Sequence, residues 1–457
     1  MSVIWWIRRD LRLTDNAALH AALDAAPAAD SVIPTFVIDP AFSGSSPRRR
    51  DFLYEGLHAL DRDLHVRGSY LVIRSGMPFD VLKILLAETK SEAIFAEEDF
   101  TPYARKRDKK IADDLPLQLI HGQTVHHPHS VLKSDGTPYK VYTAYSKIWK
   151  SRLPSTLNLL PAPEHIPTPP GITGKPLPGY KVSPLFPAGE PEALVRLEEF
   201  LHQQIFTYAR NRDRMDLDGT STLSPYLRFG MLGLRQAVHS AHQAMVEARS
   251  EISRRSAEVW LNELIWREFY IQTLYHFPQV SQTAFNPALA NIPWRNDQVE
   301  FEAWKEGRTG VPIVDAAMRQ LKEIGWMHNR ARMIVASYLI KDLLIDWQWG
   351  EAWFMENLLD GDLSANNGGW QWVAGTGPSA APYFRIFNPI LQSPKFDPKG
   401  DYIRRWVPEL RNFDTKDIHA PWKKRMKVNG YPDRPIMEGD RERTLQAYRL
   451  SKEGLRV

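Results

Sequence analysis

From Val3 to about Ile120 short apolar runs alternate with segments of helical periodicity. WWI near Trp5, SVIPTFVI, YLVI, AIFA and LQLI read as strands, and helices are predicted from Asn16, Arg48, Pro78 and Ala104. This alternation predicts a parallel α/β sheet. From Pro154 to Pro191 prolines recur with glycines and few periodic apolar residues, the pattern of a connector. After Glu192 the spacing is almost wholly helical, in EALVRLEEFLHQQI, LRQAVHSAHQAMVEA, AEVWLNELIWREFYIQTLYHF and IVDAAMRQLKEI. The expected organisation is a Rossmann-like parallel α/β domain over 1–130, a long linker over 131–191 and an all-α domain over 192–457. At 457 residues the chain exceeds the size of a single core, which agrees with more than one domain.

Composition mainly excludes. There is no cysteine, so disulfides, thiolate metal sites and a thiol nucleophile are ruled out. No apolar run is long enough to span a bilayer. Arg8 and Arg9 interrupt MSVIWWI too early for a signal peptide, so a cytosolic location is expected. The formal charge of +4 is compatible with a polyanionic partner without demanding one. No GxGxxG follows the first strand, which argues against a dinucleotide held in the usual Rossmann manner. His121, His126, His127 and His129 cluster, but HHPH offers neither helical i, i+4 geometry nor an accompanying carboxylate, and no metal is assigned.

Three stretches carry candidate chemistry. Trp326 to Trp372 mixes tryptophans with Asp360, Asp362, Asn366 and Asn367; Asn329, Arg332 and Met333 share one helical face there, and Asn366 and Trp370 share another. In DGTSTLSPYLRFG, hydroxyls at Thr220, Ser221, Thr222 and Ser224 precede a helix; they suit a diphosphate, and ordinary N-capping by Ser224 explains them about equally well. On WLNELIWREFY, Trp260, Glu263 and Arg267 lie on one face with Trp266 close by, and an acid between indoles is unusual for a solvated face. Trp294, Trp347 and Trp370 sit in separate segments, each explicable as core. Arg212, Arg214, Arg330 and Arg385 form a possible basic rim for phosphates.

Together RRDLRLTDNAAL, TSTLSPYLRFG, WLNELIWREFY, GVPIVDAAMRQL, GWMHNRARMIVASYLIKDLLIDW, DGDLSANNGGWQW and RIFNP, in this order, resemble the photolyase and cryptochrome family, most closely the class I cyclobutane pyrimidine dimer photolyases. The resemblance implies an antenna-binding α/β domain and a helical domain holding FAD. It places Tyr208 and Thr220, Ser221, Thr222, Leu223 and Ser224 around the phosphates and ribitol. Around the ring it places Trp260, Arg267, Arg332 paired with Asp360, Gly361, Asp362, Asn366 facing the flavin N5, and Asn367.

The implied substrate is a cyclobutane pyrimidine dimer flipped out of UV-damaged DNA. Trp266 and Trp372 would form an aromatic wedge, Glu263 and Asn329 would read the pyrimidine edges, and Met333 would pack between dimer and flavin. Glu263, held between indoles, is expected to have a raised pKa and to act as proton donor. Arg212, Arg267, Arg330, Arg385 and Gln392 are expected to contact the DNA. In the implied reaction, excited reduced FAD lends an electron to the dimer, the bonds between the bases break, and the electron returns. Trp370, Trp347 and Trp294 match the relay that reduces oxidised flavin. Arg49 and Asp99 match deazaflavin-contacting positions, while Tyr103 and Ala104 replace the asparagine-glutamate pair of folate binders. The expected antenna is therefore 8-hydroxydeazaflavin or FMN, in preference to methenyltetrahydrofolate. A monomer is expected. The rival readings are a cryptochrome-type photoreceptor, a (6-4) photolyase and an NAD-linked flavin oxidoreductase.

Overall fold

The computed structural model describes residues 2–26, 31–44, 46–424, 427–437 and 439–454. The chain forms two compact units. The first comprises Met1–Tyr139, Thr143–Ala209 and Ser221–His276; the second comprises Lys140–Tyr142, Arg210–Thr220 and Phe277–Val457.

In the first unit β1 (Ser2–Ile7), β2 (Val32–Ile38), β3 (Val72–Ser75), β4 (Ser91–Glu97) and β5 (Leu117–Ile120) form a parallel sheet in the order β3-β2-β1-β4-β5. Between them run α1 (Ala17–Ala25), α2 (Pro47–His65), α3 (Pro78–Thr89) and α4 (Pro102–Asp114). Register is set with Ile4 beside Ile33 and Ile94, and Phe36 beside Ile73. The central strand SVIWWI is buried throughout, as expected of a parallel strand covered on both faces. The helix starts follow local chemistry: Asn16 accepts a hydrogen bond from the Leu19 amide to cap α1, and Pro47, Pro78 and Pro102 open α2, α3 and α4.

The expected linker first forms α5 (Tyr142–Ser151) and then runs without helix or strand to Gly189, tied to the α/β segment by Ile166 N–H to Arg67 O, Val32 N–H to Pro167 O and Lys175 N–H to Ile73 O. Then follow α6 (Glu190–His202), the short α7 (Tyr208–Asn211), α8 (Ser224–Phe229), α9 (Leu234–Glu247) and α10 (Glu251–His276). The expected break at residue 192 does not coincide with the compact units, because α10 is stitched to earlier segments of the first unit. Buried Glu268 on α10 accepts from the Val125 amide and, at 2.5 Å, from Trp149 Nε1; Gln272 Nε2 donates to Tyr139 O at 2.9 Å.

The second unit is helical: α11 (Gln298–Lys305), α12 (Pro312–Ile324), α13 (Asn329–Ser337), α14 (Trp347–Asn357), α15 (Leu363–Ala374), α16 (Pro389–Phe396), α17 (Asp401–Trp406) and α18 (Arg441–Glu453). A π-turn, Tyr338–Asp342, follows α13. Its core joins Trp304, Met318, Ile334, Leu339, Trp347, Phe354 and Trp370.

Candidate functional site

In the first unit, Trp260 is buried on α10 and packs on Phe200 at 5.0 Å, and Tyr208 meets the same ring edge-on at 5.8 Å. One turn further along α10, Glu263, Trp266 and Arg267 stay half-buried. Trp266 rests on Phe269 and Tyr270, with centroids 5.5 and 5.4 Å away, and Arg267 Nη2 donates to Leu227 O at 3.3 Å. Before α8, Thr222 is held at a φ of 50°, a left-handed conformation rare for a β-branched residue. No side chain caps α8: Leu223 occupies the cap position, so Ser224 does not serve as the ordinary N-cap.

In the second unit, Arg332 on α13 pairs with Asp360 at 2.8 Å and donates from Nε to Met327 O at 2.9 Å. The other Asp360 oxygen, Oδ1, is buried without a hydrogen-bond partner. Asp362 caps α15, accepting from the amides of Ser364 at 3.1 Å and Ala365 at 3.3 Å. Asn366 donates to Glu351 O at 3.0 Å and is half-buried. Gly361 N–H bonds Leu358 O at 3.3 Å, closing the turn that brings Asp360 and Asp362 forward.

Asn367 directs its side chain into the protein. Its Nδ2 donates to Val280 O and Glu351 Oε1, and its Oδ1 accepts from Gln371 Nε2, so the buried amide is committed within the protein. It is a strut for α15.

Asn329 is exposed at the start of α13, its Nδ2 4.0 Å from the Met333 sulfur one turn on. Trp372 lies nearly parallel to Phe387, centroids 6.2 Å apart. The expected basic rim is partly neutralised: Arg330 Nη2 pairs with Asp213 at 2.8 Å, Arg212 lies 3.9 Å from the same carboxylate, and Arg214 pairs with Asp216. Arg385 lies over the Phe387 ring at 5.1 Å, and Gln392 is half-buried on α16.

The three tryptophans expected to form a relay, separate in sequence, meet one hydrophobic core. Trp370 and Trp347 are buried in it and Trp294 packs against it. Trp370 is wedged between Phe354 at 4.9 Å and Trp304 at 6.2 Å. Trp294 meets Tyr448 of α18 edge-on at 6.1 Å.

Several participants were missed from sequence. Glu351 is buried, and desolvation lifts its carboxyl to about 7. Lys341 is buried in the apolar run YLIKDLLI, where a lone lysine was the available signal. His328 caps α13 through Nδ1, and burial lowers it to about 4. Glu268 is lifted by burial to about 7. The histidine cluster does have the carboxylate the sequence reading denied it, since His127 Nε2 lies 3.1 Å from Glu98 Oε2; no grouping suited to a metal occurs among the described residues.

At the expected antenna positions, Asp99 lies 3.8 Å from Arg9 and accepts from the Thr101 amide at 2.9 Å, while Arg49 is half-buried on α2. Tyr103 donates to Asp39 at 2.5 Å.

The donor set fits a flavin. Asp360 Oδ1 is an acceptor without a protein donor, and the half-buried Arg332 and Asn366 accompany it on the α13 and α15 starts. Such spare hydrogen-bonding capacity in a buried place suits a polar heterocycle.

Residues 3–169 match the family model described as DNA photolyase, and residues 260–451 match that described as the FAD binding domain of DNA photolyase. A deoxyribodipyrimidine photo-lyase of Synechococcus is 40% identical, with 97% of this chain and 96% of the relative covered. The class III photolyase of Agrobacterium tumefaciens superposes with a TM-score of 0.91 at 35% identity, covering 99% of this chain and 98% of that one. A Synechocystis cryptochrome gives 0.86 at 30%, covering 98% of both chains.

Proposed function

The chain belongs to the DNA photolyase family, and from that premise we propose that it splits cyclobutane pyrimidine dimers in UV-damaged DNA under blue or near-UV light. It is a flavoprotein lyase of DNA repair. FAD, when bound and reduced, supplies a photoexcitable one-electron donor. Arg332, Asp360, Asp362 and Asn366 would hold the ring, and Tyr208 with Thr220, Ser221, Thr222, Leu223 and Ser224 the remainder, beside Trp260 and Arg267.

The observation that carries the dimer reading is the mixed polar and apolar face at the start of α13. Exposed Asn329 offers both a donor and an acceptor, and Met333 one turn away offers a polarisable apolar surface. A flipped pyrimidine pair needs that combination, with aromatic faces such as Trp266 and Trp372 replacing the lost base stacking. Glu263 is assigned to hold a proton at a pyrimidine carbonyl, where it would offset negative charge developing on the base. Arg212, Arg267, Arg330, Arg385 and Gln392 are assigned to the DNA strand; Arg330 would exchange or share Asp213 on binding phosphate. Trp370, Trp347 and Trp294 are assigned to refill oxidised flavin with electrons. The antenna is assigned to a deazaflavin or FMN near Arg49 and Asp99, and the protein to a monomer.

The test is repair of a defined thymine dimer in an oligonucleotide by the reduced holoenzyme, in light and in darkness. Light-dependent recovery of intact thymines is expected, and Glu263→Ala should lower its yield while FAD stays bound. A reduced, FAD-loaded protein that repairs nothing would move the chain to the photoreceptor class.

A further inference from the structure

Segment 212–216, which follows α7, carries ion pairs of two different kinds. Arg214 grips Asp216 with a fork: Nε donates to one carboxylate oxygen at 2.7 Å and Nη2 to the other at 2.5 Å, and the Asp216 side chain is 5% exposed. Asp213 is used differently. Its Oδ1 alone receives Arg330 Nη2 at 2.8 Å and Nε at 3.3 Å, and Arg212 Nε lies 3.9 Å from the same oxygen. Its side chain is 36% exposed. One oxygen facing two guanidiniums at the surface is the arrangement that an oxygen of a phosphodiester would take, since both anions carry one negative charge and suit the same donors.

We infer that Asp213 is an internal stand-in for a DNA phosphate: it occupies Arg330 and Arg212 in the free protein, is displaced when a strand binds, and speeds release of the strand after repair. The inference rests on the assignment of these two arginines to DNA made above. A dimer and its split product present the same backbone, so phosphate contacts hold the repaired strand as firmly as the damaged one. A carboxylate that stays beside the arginines competes for them in both states and repels the bound phosphate. It loosens the grip on every strand by the same factor.

The alternative task for Asp213 is to aim Arg330, and the structure gives that task to other groups. The Arg330 guanidinium lies over the Phe396 ring at 4.5 Å, and its amide donates to Nδ1 of buried His328 at 3.0 Å, which fixes the start of α13. Met215 N–H bonds Phe396 O at 2.9 Å, so segment 212–216 and the residue that carries the ring are tied together without the carboxylate. Lys395 Nζ reaches the same ring at 5.2 Å and adds a positive charge. Arg212, Arg330 and Lys395 together outweigh the one charge on Asp213, so the patch attracts a polyanion even while the pair is closed. Because Asp213 is more than a third exposed, it gains little from the pair and leaves it at little cost.

The experiment measures binding of the FAD-loaded holoenzyme, in darkness, to an oligonucleotide with one thymine dimer and to its undamaged twin, as affinity, dissociation rate and salt dependence. Asp213→Asn keeps the size of the side chain and an oxygen for the guanidiniums, and removes the charge. It should bind both strands about threefold to tenfold more tightly, chiefly through slower dissociation, with a dependence on log salt steeper by about 0.5–1. The dimer concentration for half-maximal repair should fall with the dissociation constant, while the yield per flash from bound dimer stays native. Asp218→Asn removes the same charge from an exposed carboxylate further along the chain, one that pairs with neither arginine among the described residues, and should shift affinity less than about twofold. Equal tightening in Asp218→Asn reduces the effect to net charge and overturns the proposal, as does unchanged or weaker binding in Asp213→Asn. Arg330→Gln separates the failures. If it weakens DNA binding while Asp213→Asn does not tighten it, the DNA assignment stands and the stand-in falls. If Arg330→Gln binds as tightly as the native protein, the assignment of Arg330 falls and the stand-in with it.

Discussion

Two regions of the helical unit sit a few residues apart in sequence and are built on opposite plans. The polar loop at Asp360 to Asn366 keeps hydrogen-bonding capacity in reserve: Asp360 Oδ1 is buried and unmatched, and Arg332 and Asn366 are half-covered. The aromatic wall that begins four residues later at Trp370 holds nothing back. Trp370 is packed between Phe354 and Trp304, Trp304 Nε1 donates to Val335 O at 3.0 Å, and Gly350 clears the space the indole fills. A binding site must leave its polar groups incomplete so that a ligand completes them, whereas an electron path gains from rigid, dry contact that fixes distance.

The largest expected effect breaks the wall at its inner end. Trp370→Phe preserves most of the packing and removes an oxidisable ring. Photoreduction of oxidised FAD should fall by about two orders of magnitude or more; a normal rate under steady blue light would remove Trp370 from the relay. Next is the loop. Asp360→Ala strands the Arg332 guanidinium without its carboxylate and takes away the unmatched acceptor. FAD retention should weaken about tenfold to a hundredfold, read as cofactor loss on gel filtration. If Asp360→Ala holds FAD as tightly as the native protein, the reserve of polar groups there serves something else.

Much of this contrast was legible in the sequence, and the missing part has a physical reason. The parallel sheet, its helix starts and the helical second half follow from periodicity, caps and prolines, all local signals. Candidate site residues could be grouped where they lie within one or two helical turns of each other, as Asn329, Arg332 and Met333 do. The proposed relay was different: Trp294, Trp347 and Trp370 each read equally well as core, and only the resemblance joined them. Trp304, Phe354 and Tyr448 went unnoticed, since what distinguishes them is contact across long chain separations. Asn367 shows the converse limit. Its place beside Asn366 suggested a shared task, but successive helical residues point in different directions, and Asn367 turns inward to Glu351, Val280 and Gln371. The boundary at residue 192 came from composition, which has no view of Glu268 binding the Val125 and Trp149 donors.

A smaller effect tests whether the wall is as tightly packed as it looks. A β-carbon at position 350 would overlap the Trp370 ring and lie 2.7 Å from Leu339 Cδ2. Gly350→Ala should cost about 1–3 kcal/mol of stability by overpacking, after allowing for the gain in helix propensity, measured by denaturant unfolding of the holoenzyme. An unchanged midpoint would mean that the indole has room to move, and the contrast with the loop would lose its sharper side.

The smallest effect lies where the two regions join. Glu351 of α14 is buried, accepts from Asn367 Nδ2 at 3.0 Å, and through its own carbonyl receives Asn366 Nδ2. Burial lifts its carboxyl from the ordinary value near 4.5 to about 7, with nearby Asp346 adding to the rise. A carboxyl whose folded pKa lies above its unfolded one contributes stability in full below about 4.5, and that contribution is lost as pH rises through about 7. Glu351→Gln mimics the protonated state, because the amide oxygen can still accept from Asn367. The variant and the native protein should therefore be similar in stability near pH 4.5. The variant should pull ahead by on the order of 1–3 kcal/mol once the pH passes neutrality, as followed by chemical unfolding across that range. A constant difference at every pH would mean that Glu351 ionises as readily inside the fold as outside it. The carboxylate would then have to be stabilised by donors of the loop, and the boundary between the reserved and the fully committed region would run through α14 instead of between Asn366 and Trp370.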